Sequence, residues 1–170
     1  ELQSLGLLEA LEGVAVSTRE AAFYNRFGQL VYAEPAGRWA GYDVPQLSIH
    51  RGDLQEVLLA AVKTRLGADR VVTGHACVGT ESAGGDAVRV RFRGSAGEAL
   101  PDTQGRIVVA CDGIHSALRK QLHPHEGPPR WSRVNMWRGV TTHAPFLSGA
   151  TMVRAGWLSV GKMVIYPILN

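Results

Sequence analysis

The sequence predicts a mixed α/β fold that becomes mostly β toward its end. An apolar stripe with helical spacing runs from Leu54 to Leu66. Short apolar runs bounded by glycine and proline indicate several strands on either side of this helix. Residues 106–111 form a continuous apolar run of the kind expected for a strand buried on both faces. With 170 residues, 45% of them hydrophobic, the chain is long enough to bury a core.

The first part of the chain predicts a helix, two strands and an extended segment. Leucines at every third position over residues 2–11 indicate an amphipathic helix with no polar capping residue before it. Two strands around Gly28 are expected over residues 20–34, followed by a loop over residues 35–45 and an extended segment over residues 47–50. Because the chain starts inside a helix and stops on an apolar run, we expect it to be part of a longer protein.

A long helix is predicted next, and strands follow it. Its apolar residues recur with a period of 3.6: Leu54, Val57, Leu58, Ala61, Val62 and Leu66. Gly67 is placed to end it. Strands are then predicted at residues 71–73, 76–82, 87–92 and 106–111, with a turn at 84–86. A short helix is expected over residues 114–122, and further strands at 134–141, 151–155 and 162–168.

Composition and charge narrow the classes of function. The 18 basic and 15 acidic residues are scattered and give a net charge of +3, without the basic stripe typical of a nucleic-acid binder. No apolar run approaches the length of a membrane span, and no charged leader opens the chain, so we expect a cytoplasmic protein. Cys77 and Cys111 lie inside apolar runs and are expected to be reduced and buried.

Two segments contain residues that are suited to bind a ligand. Asp112-Gly113 follows the predicted buried strand and precedes a helix, an arrangement that can bind an anion or a ribose through free backbone N–H groups. From spacing alone, a plain turn with Ser116 at the helix start is the simpler interpretation. Arg51 stands at the start of the long helix, against the helix dipole, where a phosphate or a ring carbonyl would stabilise it. Taken alone, Arg51 is better explained as a solvated side chain.

Three other apparent motifs lack residues that their functions require. Residues 156–163 resemble a phosphate loop, but Met163 stands where a metal-binding Ser or Thr is required and a strand follows instead of a helix. His123 and His125 have no Cys or carboxylate at zinc-ligand spacing, so no metal site is expected. Ser82 lacks the first glycine of a nucleophile elbow.

Two segments resemble a known protein family and so indicate a function that residue spacing alone leaves open. Residues 48–55, Ser-Ile-His-Arg-Gly-Asp-Leu-Gln, and residues 108–119, Val-Val-Ala-Cys-Asp-Gly-Ile-His-Ser-Ala-Leu-Arg, resemble the middle of the class A FAD-dependent aromatic hydroxylases. The second segment matches the Asp-Gly fingerprint of that family. Residues 136–141, with Phe146-Leu147, Thr151-Met152 and 166–168, are similar to the phenazine-1-carboxylate monooxygenase and salicylate hydroxylase branch.

The resemblance implies roles for particular residues. Arg51 corresponds to an arginine that reaches the ribityl and pyrophosphate region of FAD, and Gln55 follows one helical turn later. Val78 corresponds to a position whose backbone contacts the adenine. Asp112 and Gly113 correspond to the fingerprint that touches FAD and serves the pyridine nucleotide as well. No catalytic acid or base can be named.

The family fold is a Rossmann-like FAD-binding domain with an inserted β-sheet substrate domain. The resemblance assigns residues 1–12 and 47–122 to the first and residues 13–46 and 123–170 to the second. The opening G-x-G-x-x-G turn and the later Gly-Asp segment of the family are not in this sequence. We therefore expect the isolated chain to be inactive and to self-associate through faces that those segments would cover.

The implied reaction is hydroxylation of an aromatic substrate with FAD, NADH or NADPH, and O2. Trp137, Arg138 and Tyr166 are candidates for the substrate pocket, although a place in the core is the favoured explanation for Trp137 and Tyr166. Two alternatives remain open. One is a flavin oxidoreductase of the same fold that does not hydroxylate, and the other is a truncated remnant with only a structural or interaction role.

Overall fold

The structure is a computed structural model that describes residues 1–157 and 159–169. Its helices and strands follow one another along the chain in the order α1 (Leu8–Glu12), β1 (Val16–Thr18), β2 (Glu20–Tyr24), β3 (Leu30–Pro35), β4 (Gln46–Ser48), α2 (Arg51–Leu66), β5 (Ala76–Ser82), β6 (Val88–Arg93), β7 (Ala99–Gly105), α3 (Ala117–Leu122), β8 (Thr151–Trp157) and β9 (Gly161–Ile165). The architecture is mixed α and β, as the sequence predicts.

The chain forms two compact units. The first contains Glu1–Arg70 and Val140–Asn170, and the second contains Val71–Gly139. The division of the chain into flavin and substrate domains that the family resemblance implies stays a prediction.

A four-stranded sheet organises the first unit. Its strand order is β3-β2-β8-β9, with β2 and β8 parallel and the other neighbours antiparallel. Thr151 at the start of β8 is fully buried and donates a hydrogen bond from its hydroxyl to a Glu20 carboxylate oxygen at 2.7 Å. A smaller sheet pairs β1 with β4, and the Thr18 and Ser48 hydroxyls bond across it at 2.7 Å. The apolar core of this unit is small and consists of Leu7, Leu11, Ala15, Ala21, Ala22, Ala36 and Ala150.

Helix α2 begins and ends at the residues that the sequence indicates. His50 precedes it in an extended conformation, and its Nδ1 accepts a hydrogen bond from the Gly52 N–H at 3.2 Å. Gly67 ends it with a positive φ of 103°, a conformation that glycine adopts without steric cost. The apolar stripe of α2 is half-buried to exposed.

The second unit is an antiparallel meander with one helix beside it. Strands β5, β6 and β7 pair in that order, and the β5–β6 connection contains the predicted turn. Helix α3 packs on the outer strand β5 through Gln121. The Gln121 side chain accepts a hydrogen bond from the Thr80 N–H at 2.9 Å and donates one to the Thr80 carbonyl at 2.6 Å. A side-chain amide thus takes the place of a neighbouring strand at this edge.

Three predicted strands are wrong. Residues 71–73, 106–111 and 134–141 are not in strands. Ile107 and Val109, predicted to be buried, are 82% and 77% exposed. A strand requires a partner for its backbone groups, and no strand in the described part of either unit pairs with these segments.

Other boundaries also shift. The first helix covers only Leu8–Glu12, and the short helix starts at Ala117 rather than at residue 114. Strand β9 ends at Ile165, three residues before the predicted end. Strands β1 and β7 were not predicted. Both cysteines are free, as expected, but Cys77 is only half-buried and Cys111 is exposed.

Candidate functional site

The Asp112-Gly113 turn is the best-defined candidate site in the second unit. Gly113 has a positive φ of 77°, which lets the chain reverse before the helix. The Ser116 N–H then donates to the Gly113 carbonyl at 3.1 Å. Ser116 caps α3, because its Oγ accepts a hydrogen bond from the Arg119 N–H at 2.9 Å. Sequence reasoning had already placed Ser116 at the helix start.

Asp112 supplies a second cap to the same helix. Its Oδ2 accepts a hydrogen bond from the Ala117 N–H at 2.8 Å. The Ser116 side chain, followed by backbone N–H groups that include that of Ala117, stabilises the charged carboxylate and lowers the pKa of Asp112 below its ordinary value. At neutral pH the turn therefore presents a carboxylate that can accept further hydrogen bonds from ligand hydroxyl groups.

A two-point ion pair joins Arg119 of α3 to Glu126, which lies beyond the end of the helix. The Arg119 guanidinium donates to both carboxylate oxygens of Glu126, with Nε to Oε2 at 2.7 Å. This contact raises the pKa of Arg119 and lowers that of Glu126, with the hydrogen bond as the largest cause in each case. Glu126 was missed by sequence reasoning, since a separation of seven residues across a proline-rich loop matches no helix or strand spacing.

An open hollow of about 710 Å³ lies at this turn. Its wall includes Asp112, Gly113, Ser116, Arg119, His123 and Glu126. The structure thus brings Asp112 and Gly113, two of the predicted cofactor residues, together at one concave surface that carries both a carboxylate and an ion pair. A second, more apolar hollow of about 440 Å³ lies beside it and is lined by residues of β6, β7 and the 107–112 segment.

Val78 lies at a bulge in β5. Cys77 pairs with Phe92 and Gly79 pairs with Arg91, so Val78 stands opposite no residue of β6. A bulged residue is left without a partner residue on the neighbouring strand. This placement suits the predicted backbone contact to adenine, which stays a prediction.

Arg51 and Gln55 lie in the first unit, on the exposed side of α2 one turn apart. Residues four apart in a helix share a face, so both side chains can reach one ligand. In the part of the chain that the structure describes, the Arg51 guanidinium has no carboxylate within 4 Å. Its charge is therefore available to an anionic group.

The predicted substrate residues do not lie on strands. Trp137 and Arg138 belong to a segment without regular secondary structure, and Tyr166 follows β9 directly. Trp137 is 92% exposed and Tyr166 is 45% exposed, so neither is a core aromatic in this chain. The Arg138 Nε lies 3.2 Å from the Met136 sulfur. Trp137 and Arg138 belong to the second unit and Tyr166 to the first.

Over residues 1–157 and 159–169, no three His, Cys, Asp or Glu side chains come close enough together to hold a metal ion. Within the same residues, every helix is too short or too polar to cross a membrane.

Comparison with known proteins gives close relatives. The chain is 39% identical over 168 residues to phenazine 1,6-dicarboxylic acid hydroxylase PhzS of Lysobacter antibioticus, covering 98% of this chain and 41% of that protein. It is 32% identical over 139 residues to aurachin C monooxygenase/isomerase of Stigmatella aurantiaca, covering 81% of this chain and 33% of that protein. The chain thus spans 41% and 33% of the length of these two curated relatives. No family model matches it.

Solved structures agree on the fold. The flavin-dependent monooxygenase PieE, in complex with FAD and substrate, superposes with a TM-score of 0.54 over 71% of this chain and 23% of its own, at 18% identity. FqzB superposes with a TM-score of 0.51 over 69% of this chain and 25% of its own, at 22% identity.

The chain therefore has the fold of part of a flavin-dependent monooxygenase. In sequence, the chain corresponds to a fragment of the monooxygenases to which it is similar.

Proposed function

We propose that the intact protein is an FAD-dependent monooxygenase that hydroxylates a planar aromatic substrate with NADH or NADPH and O2. The observation that carries this proposal is the Asp112 turn, where the Ala117 N–H donates to a charged carboxylate that lines a hollow. It stands in a chain whose relatives are named for hydroxylation of a phenazine dicarboxylic acid and for action on aurachin C. The phenazine in the first name supports a fused aromatic ring as substrate.

The residues present are chemically suited to parts of a dinucleotide. Arg51 offers a planar cation with several donors, the kind of group that binds phosphate. Asp112 offers acceptor oxygens for hydroxyl groups of a ribityl or ribose chain, and Val78 stands at a bulge without a partner residue on β6. We propose that these residues, with Gln55 and Gly113, hold the flavin cofactor.

A bound flavin, once reduced by the pyridine nucleotide, would supply the activation of O2 and the transfer of one oxygen atom to the ring. The task of this chain is then to orient the cofactor and the substrate and to keep water from the reacting groups. Trp137, Arg138 and Tyr166 are proposed to contact the substrate, and their exposure leaves them free to do so. The cytoplasm is the proposed location.

The test is to express the protein from its full reading frame and record its visible spectrum. We expect flavin absorption bands, oxidation of NADH or NADPH that accelerates with a fused-ring aromatic acid, and a product with one added oxygen atom. A colourless protein that takes up no added FAD would contradict the proposal and would favour a structural role.

Product analysis also separates a second candidate. One relative is named monooxygenase/isomerase, so a flavin oxidoreductase of this fold that rearranges its substrate is the alternative. A product in which the hydroxyl group stays on an otherwise unchanged ring supports simple hydroxylation. A rearranged or opened ring supports the alternative.

A further inference from the structure

One row of side chains crosses the whole sheet of the first unit. Tyr32 on β3 pairs with Phe23 on β2, Phe23 pairs with Arg154 on β8, and Arg154 pairs with Val164 on β9. Paired residues of neighbouring strands project from the same face of a sheet. These four side chains therefore form a continuous row on one face, which we call the aromatic row.

The row is held together by stacking. The Phe23 and Tyr32 rings lie with their centroids 4.4 Å apart and their planes within 6° of parallel. The Arg154 guanidinium carbon lies 5.3 Å from the centroid of the Phe23 ring, within the range of a cation–π contact. Arg154 is thus flanked by an aromatic ring on one strand and by Val164 on the other.

The positive charge of Arg154 has no counter-charge beside it. The side chain is half-buried, and across the described residues no carboxylate oxygen lies within 4 Å of its guanidinium. Its recorded hydrogen-bond contact is with the Met152 sulfur at 3.8 Å, and sulfur is a weak acceptor. Glu34 projects from the same face of the sheet. It lies on β3, two strands from β8, and the strand spacing puts its Cα about 12 Å from that of Arg154.

A second arginine shows what is unusual here. Arg26 also lies over a ring, with its guanidinium carbon 4.7 Å from the Phe27 centroid. Both residues are exposed at the turn between β2 and β3. Water solvates the charge of Arg26, whereas Arg154 is partly withdrawn from water, and a partly buried charge is stabilised most by an opposite charge.

We propose that the aromatic row is the binding surface for a planar aromatic carboxylate, with Arg154 pairing with the carboxylate. The guanidinium fork matches a carboxylate in two-point geometry. The apolar edges of Phe23 and Val164 on either side would contact the attached ring. This inference rests on the proposed function, and it names both the class of substrate and the residue that selects it.

The experiment compares an aromatic acid with the same ring lacking its charge. Phenazine-1,6-dicarboxylate and phenazine are titrated into the flavin-loaded protein, expressed from its full reading frame, by calorimetry. We expect Arg154→Gln to weaken binding of the dicarboxylate about tenfold or more and to leave phenazine binding unchanged. The matched control Arg26→Gln removes the same charge from a neighbouring Arg–Phe contact and should behave as the parent.

Arg154→Lys provides a second variant if the Gln variant does not fold. This variant keeps the charge and loses the planar fork. We therefore expect its ratio of dicarboxylate affinity to phenazine affinity to fall between the ratio of the parent and a ratio that shows no preference for the charged ligand. A parent-like ratio of dicarboxylate to phenazine affinity in Arg154→Gln overturns the inference. If only the Lys variant folds, a parent-like ratio there, unaffected by added salt, overturns it equally.

Flavin absorbance and NAD(P)H oxidation are recorded on every variant. A flavin-loaded, NAD(P)H-oxidising protein whose ligand preference ignores Arg154 refutes the aromatic row and leaves the monooxygenase proposal standing. A protein that binds the dicarboxylate through Arg154 but takes up no flavin refutes the monooxygenase proposal instead.

Discussion

Arg51 carries a charge that is unfavourable at the start of its own helix. A cation at the N-terminus of α2 opposes the helix dipole. In the intact protein we expect Arg51→Ala to remove a charge-assisted contact of about 1.5 to 3 kcal/mol and to weaken FAD binding roughly tenfold or more. Equilibrium titration followed by flavin fluorescence measures the effect. Lys63→Ala, in the last turn of the same helix, is the control, and equal FAD affinity in both variants would show that Arg51 has another role.

Asp112 links the candidate site to pH. Its pKa is lowered in the folded state by the Ser116 side chain and nearby N–H groups. The carboxylate therefore contributes stability above its unfolded pKa of about 3.9 and loses this contribution as the pH falls through the lower, folded value. We expect Asp112→Asn to be less stable than the parent at neutral pH, with the difference shrinking on acidification.

Denaturant unfolding at neutral pH and at about pH 3 measures this difference. The same substitution at Asp86, an exposed residue between β5 and β6, serves as the control. A difference between parent and Asp112→Asn that stays constant across this range would mean that the charge of Asp112 does not stabilise the turn.

At the scale of elements, Gln121 decides where α3 lies. Its two hydrogen bonds to Thr80 join residues 41 positions apart and occupy the free edge of β5. We expect Gln121→Leu to destabilise this docking by about 1 to 3 kcal/mol, since two hydrogen bonds are lost. Hydrogen exchange at the Thr80 N–H should then accelerate.

Gln104→Leu makes the same change on β7, the opposite outer strand of the meander, and should leave exchange at Thr80 as in the parent. Unchanged protection in the Gln121 variant would show that other contacts hold α3 in place.

At the scale of the whole molecule, the 170-residue chain by itself should neither keep FAD nor hydroxylate an aromatic. It spans 41% of the PhzS relative, and the family's G-x-G-x-x-G turn, which supplies backbone N–H groups to the pyrophosphate, is not in its sequence. The apolar side chains of Ile107, Val109 and Trp137 are largely exposed, and exposed apolar surface favours self-association.

Purification of this chain, light scattering and titration with FAD test both parts of the prediction. A monomer that is yellow with one flavin per chain, or that oxidises NADH in response to an added aromatic, would contradict it.

Local signals in the sequence were sufficient for the elements whose stabilising contacts are themselves local. Helix α2 was predicted from its apolar period and from Gly67, and the β2–β3 and β5–β6 hairpins were predicted from glycines between short apolar runs. The capping role of Ser116 at α3 was likewise visible, because its hydrogen-bond partner is three residues away.

The other features depend on pairing between segments that are far apart in the sequence. The segments 106–111 and 134–141 have the composition of strands, yet they are strands only if a partner accepts their backbone hydrogen bonds, and composition says nothing about partners. For the same reason the sequence does not indicate a role for Arg154. Its position beside Phe23 depends on the parallel pairing of β2 with β8, two strands more than a hundred residues apart, and only the tertiary structure brings such residues into one row.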